Sequence, residues 1–127
     1  MNLSTFFRAT SPAFAAELGM FFVLRNLSAT NQPSFLALAL SSWVALPALA
    51  GFRVSRAGGS RLLASAGGGA VSGVTLICAA ASELLITRDA EAFGGFVLAT
   101  LLIGLPMQAL FGFVGGWAAT YRASRGA

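Results

Sequence analysis

Long apolar stretches, broken only briefly by polar clusters, run almost from one end of the chain to the other. From Ser34 to Phe52, from Leu62 to about Thr87, and from Phe93 to Tyr121 the residues are nearly all Leu, Ala, Val, Ile, Phe, Gly and small hydroxyl side chains. About 20 consecutive apolar residues are what an α-helix needs to cross a hydrocarbon core of about 30 Å. The pattern therefore predicts spans over about residues 34–52, 62–87 and 93–120. The last run exceeds one perpendicular crossing, so that helix must tilt, bend at Pro106 or emerge from the bilayer. Pro47 sits inside the second run, where a kink is expected rather than a break.

A fourth, weaker span is predicted over about residues 12–30. Ser11-Pro12 reads as its start, a capping hydroxyl followed by a proline at the first helical position. From Pro12 to Leu27 the helix would cover about 24 Å, short of the core, and it carries Glu17 and Arg25. A helix lying in the interface is the alternative for this segment. Asn26 to Pro33 reads as a loop, Arg53, Arg56 and Arg61 with Gly58-Gly59 as a basic turn, and Arg88, Asp89 and Glu91 as a polar connection.

Orientation follows from the arginines, since positive charges near span ends resist translocation. With four spans, Arg8, Arg53, Arg56, Arg61, Arg122 and Arg125 fall on one side, and Arg25 and Arg88 on the other. The expectation is an all-α polytopic membrane protein: one domain, a four-transmembrane-helix bundle with both termini and the basic turn in the cytoplasm. Trp117 and Tyr121 fit an interfacial aromatic belt on the arginine-rich side, whereas Trp43 falls mid-span and reads as packing. Arginine without lysine suggests a GC-rich genome, and short loops suit a bacterial inner membrane.

Composition sharpens this picture. Of 127 residues, 57% are hydrophobic and only 9% charged, against about 25% charged in a soluble domain. The net charge of +4 does not point to nucleic acid, because the arginines are scattered between apolar runs with no water-facing basic stripe. Ala13-Phe14-Ala15 imitates a signal cleavage site, but no basic segment precedes it and Arg8 interrupts the apolar region, so the N-terminus is expected to be retained. Cys78, the single cysteine, cannot form an internal disulfide and reads as packing.

The absence of histidine removes histidine metal sites and Ser-His-Asp or Cys-His catalysis within one chain. Glu17 and Glu83 are the only carboxylates inside spans. Glu17 is expected about 8 Å into the first helix and Glu83 about 31 Å along the third, so the two should not meet within one chain. Enzyme activity and cofactors are not expected. Glu17 is the ion or substrate candidate, since an ionisable group inside a membrane helix is costly. The alternatives are a shallow position near headgroups, or pairing with Arg25 or a loop arginine. Arg25 lies about 80° round the helix and about 12 Å further along, which makes a direct pair strained. Glu83 is expected beside Arg88 at the outer interface. Ala16-Glu17 with Gly19 is similar to the small multidrug resistance transporters, whose first-helix glutamate binds substrate cations and protons in a dimer. The first connecting segment, the basic turn and the glycine-rich third span depart from that pattern, and the chain is not assigned to that group.

Glycine spacing supplies the packing expectation. Ser65, Gly69 and Gly73 recur every fourth residue in the third span, and Gly112 and Gly116 in the fourth, the spacing that lets helix backbones approach closely. Gly69 and Gly112 lie at similar depth, so the two helices are expected to touch there. Gly67-Gly68-Gly69 is not a phosphate loop, lacking the lysine-hydroxyl ending and a preceding strand. Arg53, Arg56, Arg61, Arg122 and Arg125 are expected to set topology and meet lipid headgroups. Asn26-Leu27-Ser28 formally matches a glycosylation acceptor, but it abuts the membrane edge. The leading functional expectation is a non-enzymatic accessory or assembly component acting through helix contacts, with membrane lipids and either another membrane protein or a second copy as partners. A small homo-oligomeric transporter or channel using Glu17 is the alternative. The two readings are separated by where Glu17 points.

Overall fold

The computed structural model describes residues 1–27 and 32–126, and every regular element among them is helical. The helices are α1 (Leu3–Leu27), α2 (Gln32–Arg56), α3 (Arg61–Ile86) and α4 (Ala90–Arg125). Three of them, α2, α3 and α4, are long and apolar enough to cross a membrane. Helix α1 has the length, about 37 Å at 1.5 Å per residue, but carries Arg8, Glu17 and Arg25. The expected loop after Asn26, the end of the first span and the Asn26-Leu27-Ser28 tripeptide lie partly outside the described residues.

The start of α1 corrects the expectation at Ser11-Pro12. Asn2 caps the helix, its side-chain oxygen accepting from the Thr5 amide at 2.8 Å, so the helix is already formed two turns before Pro12. Pro12 has no N–H to give the Arg8 carbonyl. The Ser11 hydroxyl donates to that carbonyl at 3.2 Å instead, and Arg53 Nε of α2 donates to the next one, Ala9, at 2.8 Å. Ser11 therefore repairs a proline break rather than opening the helix.

The basic turn is shorter than expected, because α2 continues through Arg53 to Arg56. It closes in a Schellman arrangement: the amide of Gly59 donates to the carbonyl of Val54 at 2.9 Å and that of Gly58 to Ser55 at 3.1 Å. Gly58 takes a φ of +95°, a conformation open to glycine at little cost. Ser60 then caps α3, accepting from the Leu63 amide at 3.2 Å. Asp89 caps α4 in the same way, from Ala92 at 3.0 Å.

Two stretches widen to π-helical turns, Ala81–Ile86 at the end of α3 and Thr100–Gly104 within α4. The second precedes Pro106, whose ring would meet the carbonyl four residues back in a regular helix. With the Leu105 amide bonded to the Thr100 carbonyl, the helix carries the proline by a local change of pitch.

Small side chains lie inside and large apolar ones outside. Ala13, Ala50, Ala64, Val54 and Val71 are fully buried, while Leu62, Ile77 and Leu102 are 80%, 71% and 71% exposed. That inversion suits a lipid surround, where tails solvate leucine and association depends on close packing. Helix α4 lies against both α2 and α3 through its second half, Leu105–Arg125, and α1 packs on α2 and α3. A Cβ built on Gly112 would stand 2.6 Å from the Ala64 carbonyl oxygen and 2.8 Å from Gly68 Cα. One on Gly51 would overlap the Gly112 backbone, and one on Gly115 that of Ala48. The α3 side of this contact is thus Ala64 and Gly68, one residue from the expected Ser65–Gly69 face. Gly69 meets Leu105 and Ala109, Gly116 meets Ala64, and Gly73 has nothing within 4 Å. Ser65 donates to the Ala109 carbonyl at 3.0 Å.

Candidate functional site

Because α1 begins at Leu3, Glu17 is deeper than the sequence alone suggests. It lies about 14 residues, or about 21 Å, along its helix. Thr75 is the same distance into α3, and Ser42 the same distance back from the end of α2. The three side chains therefore meet at one level. Glu17 Oε2 accepts from Ser42 Oγ at 2.8 Å, and Oε1 accepts from Thr75 Oγ1 at 2.7 Å. Glu17 is 3% exposed, so its polar surroundings are these hydroxyls and the cavity it lines, not headgroups.

The Thr75 hydroxyl also lies 3.2 Å from the Val71 carbonyl, the acceptor one turn back on its own helix. A hydroxyl has one proton to donate and lone pairs to accept. Thr75 can therefore donate to an ionised Glu17, or turn to Val71 and accept from a protonated one. The triad accommodates both charge states of Glu17 without moving a helix.

A cavity of about 660 Å³ opens from this level toward the far end of the helices. Glu17, Phe21, Leu24 and Arg25 line it from α1, Phe35, Ala39 and Trp43 from α2, Thr75 and Glu83 from α3, and Phe96, Ala99 and Thr100 from α4. The space exists because the first half of α4, Ala90–Ala99, packs on α3 and leaves room beside α1 and α2. Each π-helical turn contributes a wall residue, Glu83 from one and Thr100 from the other. Ala13 and Val71, one turn nearer the basic end and fully buried, pack beyond the Glu17 level.

The ion-pair partner of Glu83 is Arg25, not the expected Arg88. Glu83 pairs with Arg25 Nη1 at 2.6 Å and accepts from the Thr87 hydroxyl at 2.8 Å. Glu17 and Glu83 line one cavity, but each is held by its own partners and no contact joins the two among the described residues. Trp43, expected in packing, is a wall of the same cavity. On the basic side of Glu17, the Ser72 hydroxyl donates to the Gln108 side-chain oxygen, joining α3 to α4. Cys78 is buried. Arg53, Arg56 and Arg122 gather with Arg8 around two surface grooves at the basic end.

Sequence reasoning singled out Glu17 but not Ser42, Thr75, Ser72 or Gln108. Lone hydroxyls in apolar helices are common, and only equal depth along neighbouring helices marks these. Comparison of the chain with protein families, with characterised proteins and with solved structures returns no match.

Proposed function

We propose that this chain is a four-span bundle of a bacterial inner membrane, with both ends and the basic turn cytoplasmic, that conducts or transports a proton or monovalent cation through Glu17. The observation that carries this reading is the direction of Glu17, which faces a cavity and two hydroxyls rather than headgroups or an arginine. Arg25 and Glu83 offset one another, and among the described residues no cationic side chain pairs with Glu17. Four aromatic walls, Phe21, Phe35, Trp43 and Phe96, add faces that attract cations. A site complete within one chain does not require the oligomer of the sequence-based alternative. Four spans and a cytoplasmic basic end are supported by the length of α1 and by the six arginines at one end.

The accessory reading retains one supporting observation. Gly19, Gly73, Gly94 and Gly95 have nothing within 4 Å, so small-residue faces on three helices are open to another membrane helix. One experiment separates the two. Purified protein in liposomes carrying a pH-sensitive dye is challenged with proton, Na⁺ and K⁺ gradients, wild type beside Glu17→Gln. Flux abolished by the substitution supports transport. No flux, with a stoichiometric foreign protein copurifying with both forms, establishes the accessory component.

A further inference from the structure

We propose that the groove between the start of α1 and the end of α2 binds the phosphodiester headgroup of an anionic phospholipid. The groove, about 360 Å³, is lined by Thr5 and Arg8 of α1 and by Phe52, Arg53 and Arg56 of α2, with Ala57 at its edge. Two of its three guanidinium groups are held before any ligand arrives. Arg53 is anchored through Nε on the Ala9 carbonyl at 2.8 Å. Arg56 lies over the Phe52 ring, 6.0 Å from its centroid. Anchoring reduces the side-chain entropy lost on binding, and two or more guanidinium groups around one pocket suit the planar, bidentate geometry of phosphate oxygens.

Among the described residues the charge there has no acidic side chain as counterpart. Of the chain's four acidic residues, Glu17 and Glu83 line the cavity, and Asp89 and Glu91 stand at the opposite end of α3 and α4. Among the described residues no carboxylate pairs with Arg8, Arg53 or Arg56. A second groove of about 380 Å³, on the other flank of α2, shares Phe52 and Arg56 and adds Arg122. The positive field is therefore centred on the α2 end.

A lipid is favoured over free phosphate by the walls and by the site's place. Phe52, Ala9 and Ala57 give the pocket an apolar side, α2 is a helix apolar enough to cross a membrane, and Phe7 of the neighbouring turn is 52% exposed. A headgroup at the arginines leaves its acyl chains along exposed apolar helix, where an inorganic ion would gain nothing.

The test is native mass spectrometry of the full chain in a neutral detergent, titrated with phosphatidylglycerol, phosphatidylcholine or inorganic phosphate. Wild type is compared with Arg8→Gln, Arg56→Gln and Arg125→Gln. The last removes the same charge from the same end but lies outside the groove. Retention of phosphatidylglycerol over phosphatidylcholine is expected, weakened about tenfold by Arg8→Gln and by Arg56→Gln and unchanged by Arg125→Gln, the size expected for one charge-assisted contact. Equal retention of the two lipids would overturn the proposal. Equal weakening by all three substitutions would reduce it to unspecific charge attraction, and displacement of phosphatidylglycerol by millimolar inorganic phosphate would make the groove a free-phosphate site. Arg8 is exposed on α1, so Arg8→Gln reads binding even if Arg56→Gln alters the α2 end.

Discussion

Thr75 Oγ1 donates to Glu17 Oε1 across 2.7 Å, joining α3 to α1 at a level where Ser42 of α2 reaches the same carboxylate. Three helices thus share one buried acid. Thr75→Val and Ser42→Ala should each lower stability in detergent by about 0.5–2 kcal/mol, the range for interhelical hydrogen bonds in membranes. Thr75→Ser should restore it. Glu17→Gln should fold, because an amide can pair with both hydroxyls. Denaturation of the four variants in mixed micelles checks this, and a Thr75→Val protein as stable as wild type would remove the contact from the account.

The glycine contact predicts a sharp contrast between a glycine of α4 and one of α3. Gly112→Ala places a methyl 2.6 Å from the Ala64 carbonyl oxygen, so α4 must move away from α3. The expected cost is about 1–3 kcal/mol or more. Gly73→Ala meets nothing within 4 Å and should be neutral or gain up to about 1 kcal/mol from helix propensity. Thermal unfolding of both in the same detergent decides whether packing follows Gly68–Gly112 or the Gly69–Gly73 face.

Arg25 and Glu83 clasp the ends of α1 and α3 at the cavity mouth, their side chains 37% and 11% exposed. Removing one partner strands a poorly solvated charge, so Arg25→Gln should destabilise by about 1–3 kcal/mol. The reversed pair, Arg25→Glu with Glu83→Arg, should recover much of it. A double-mutant cycle measures the coupling; a value near zero would mean that water already solvates both groups.

Topology gives an independent prediction. On a Cys78→Ala background, Glu91→Cys should react with an impermeant maleimide applied outside intact cells, and Ala57→Cys should react only after lysis. The reverse pattern would invert the chain in the membrane.

Much of the architecture was legible as hydrophobic pattern. The apolar runs of α2, α3 and α4 mark helices because each is about as long as a crossing needs or longer, and Glu17 stands out as an acid in the helix before them. Local chemistry was harder to read. Ser11-Pro12 has the form of a helix start, yet Asn2 caps earlier and Ser11 serves the Arg8 carbonyl instead. That shift misplaced Glu17 by about 13 Å, which hid its level with Thr75 and Ser42. Fourfold glycine spacing could not give the phase of the α3–α4 contact, because Gly67, Gly68 and Gly69 are consecutive and only the helix rotation decides which one faces Gly112. The partner of Glu83 was hidden for a tertiary reason, since Arg25 is 58 residues away in the chain.

Under the proposed function, Glu17 is the working carboxylate of a cavity inside the membrane. An apolar carbodiimide partitions into bilayers and adds to protonated carboxyl groups, so peptide mass mapping after treatment of reconstituted protein tests it directly. An adduct on Glu17 is expected, with proton or cation flux falling in step with its yield. Glu17 left unmodified, or modified while flux continues unchanged, would contradict it.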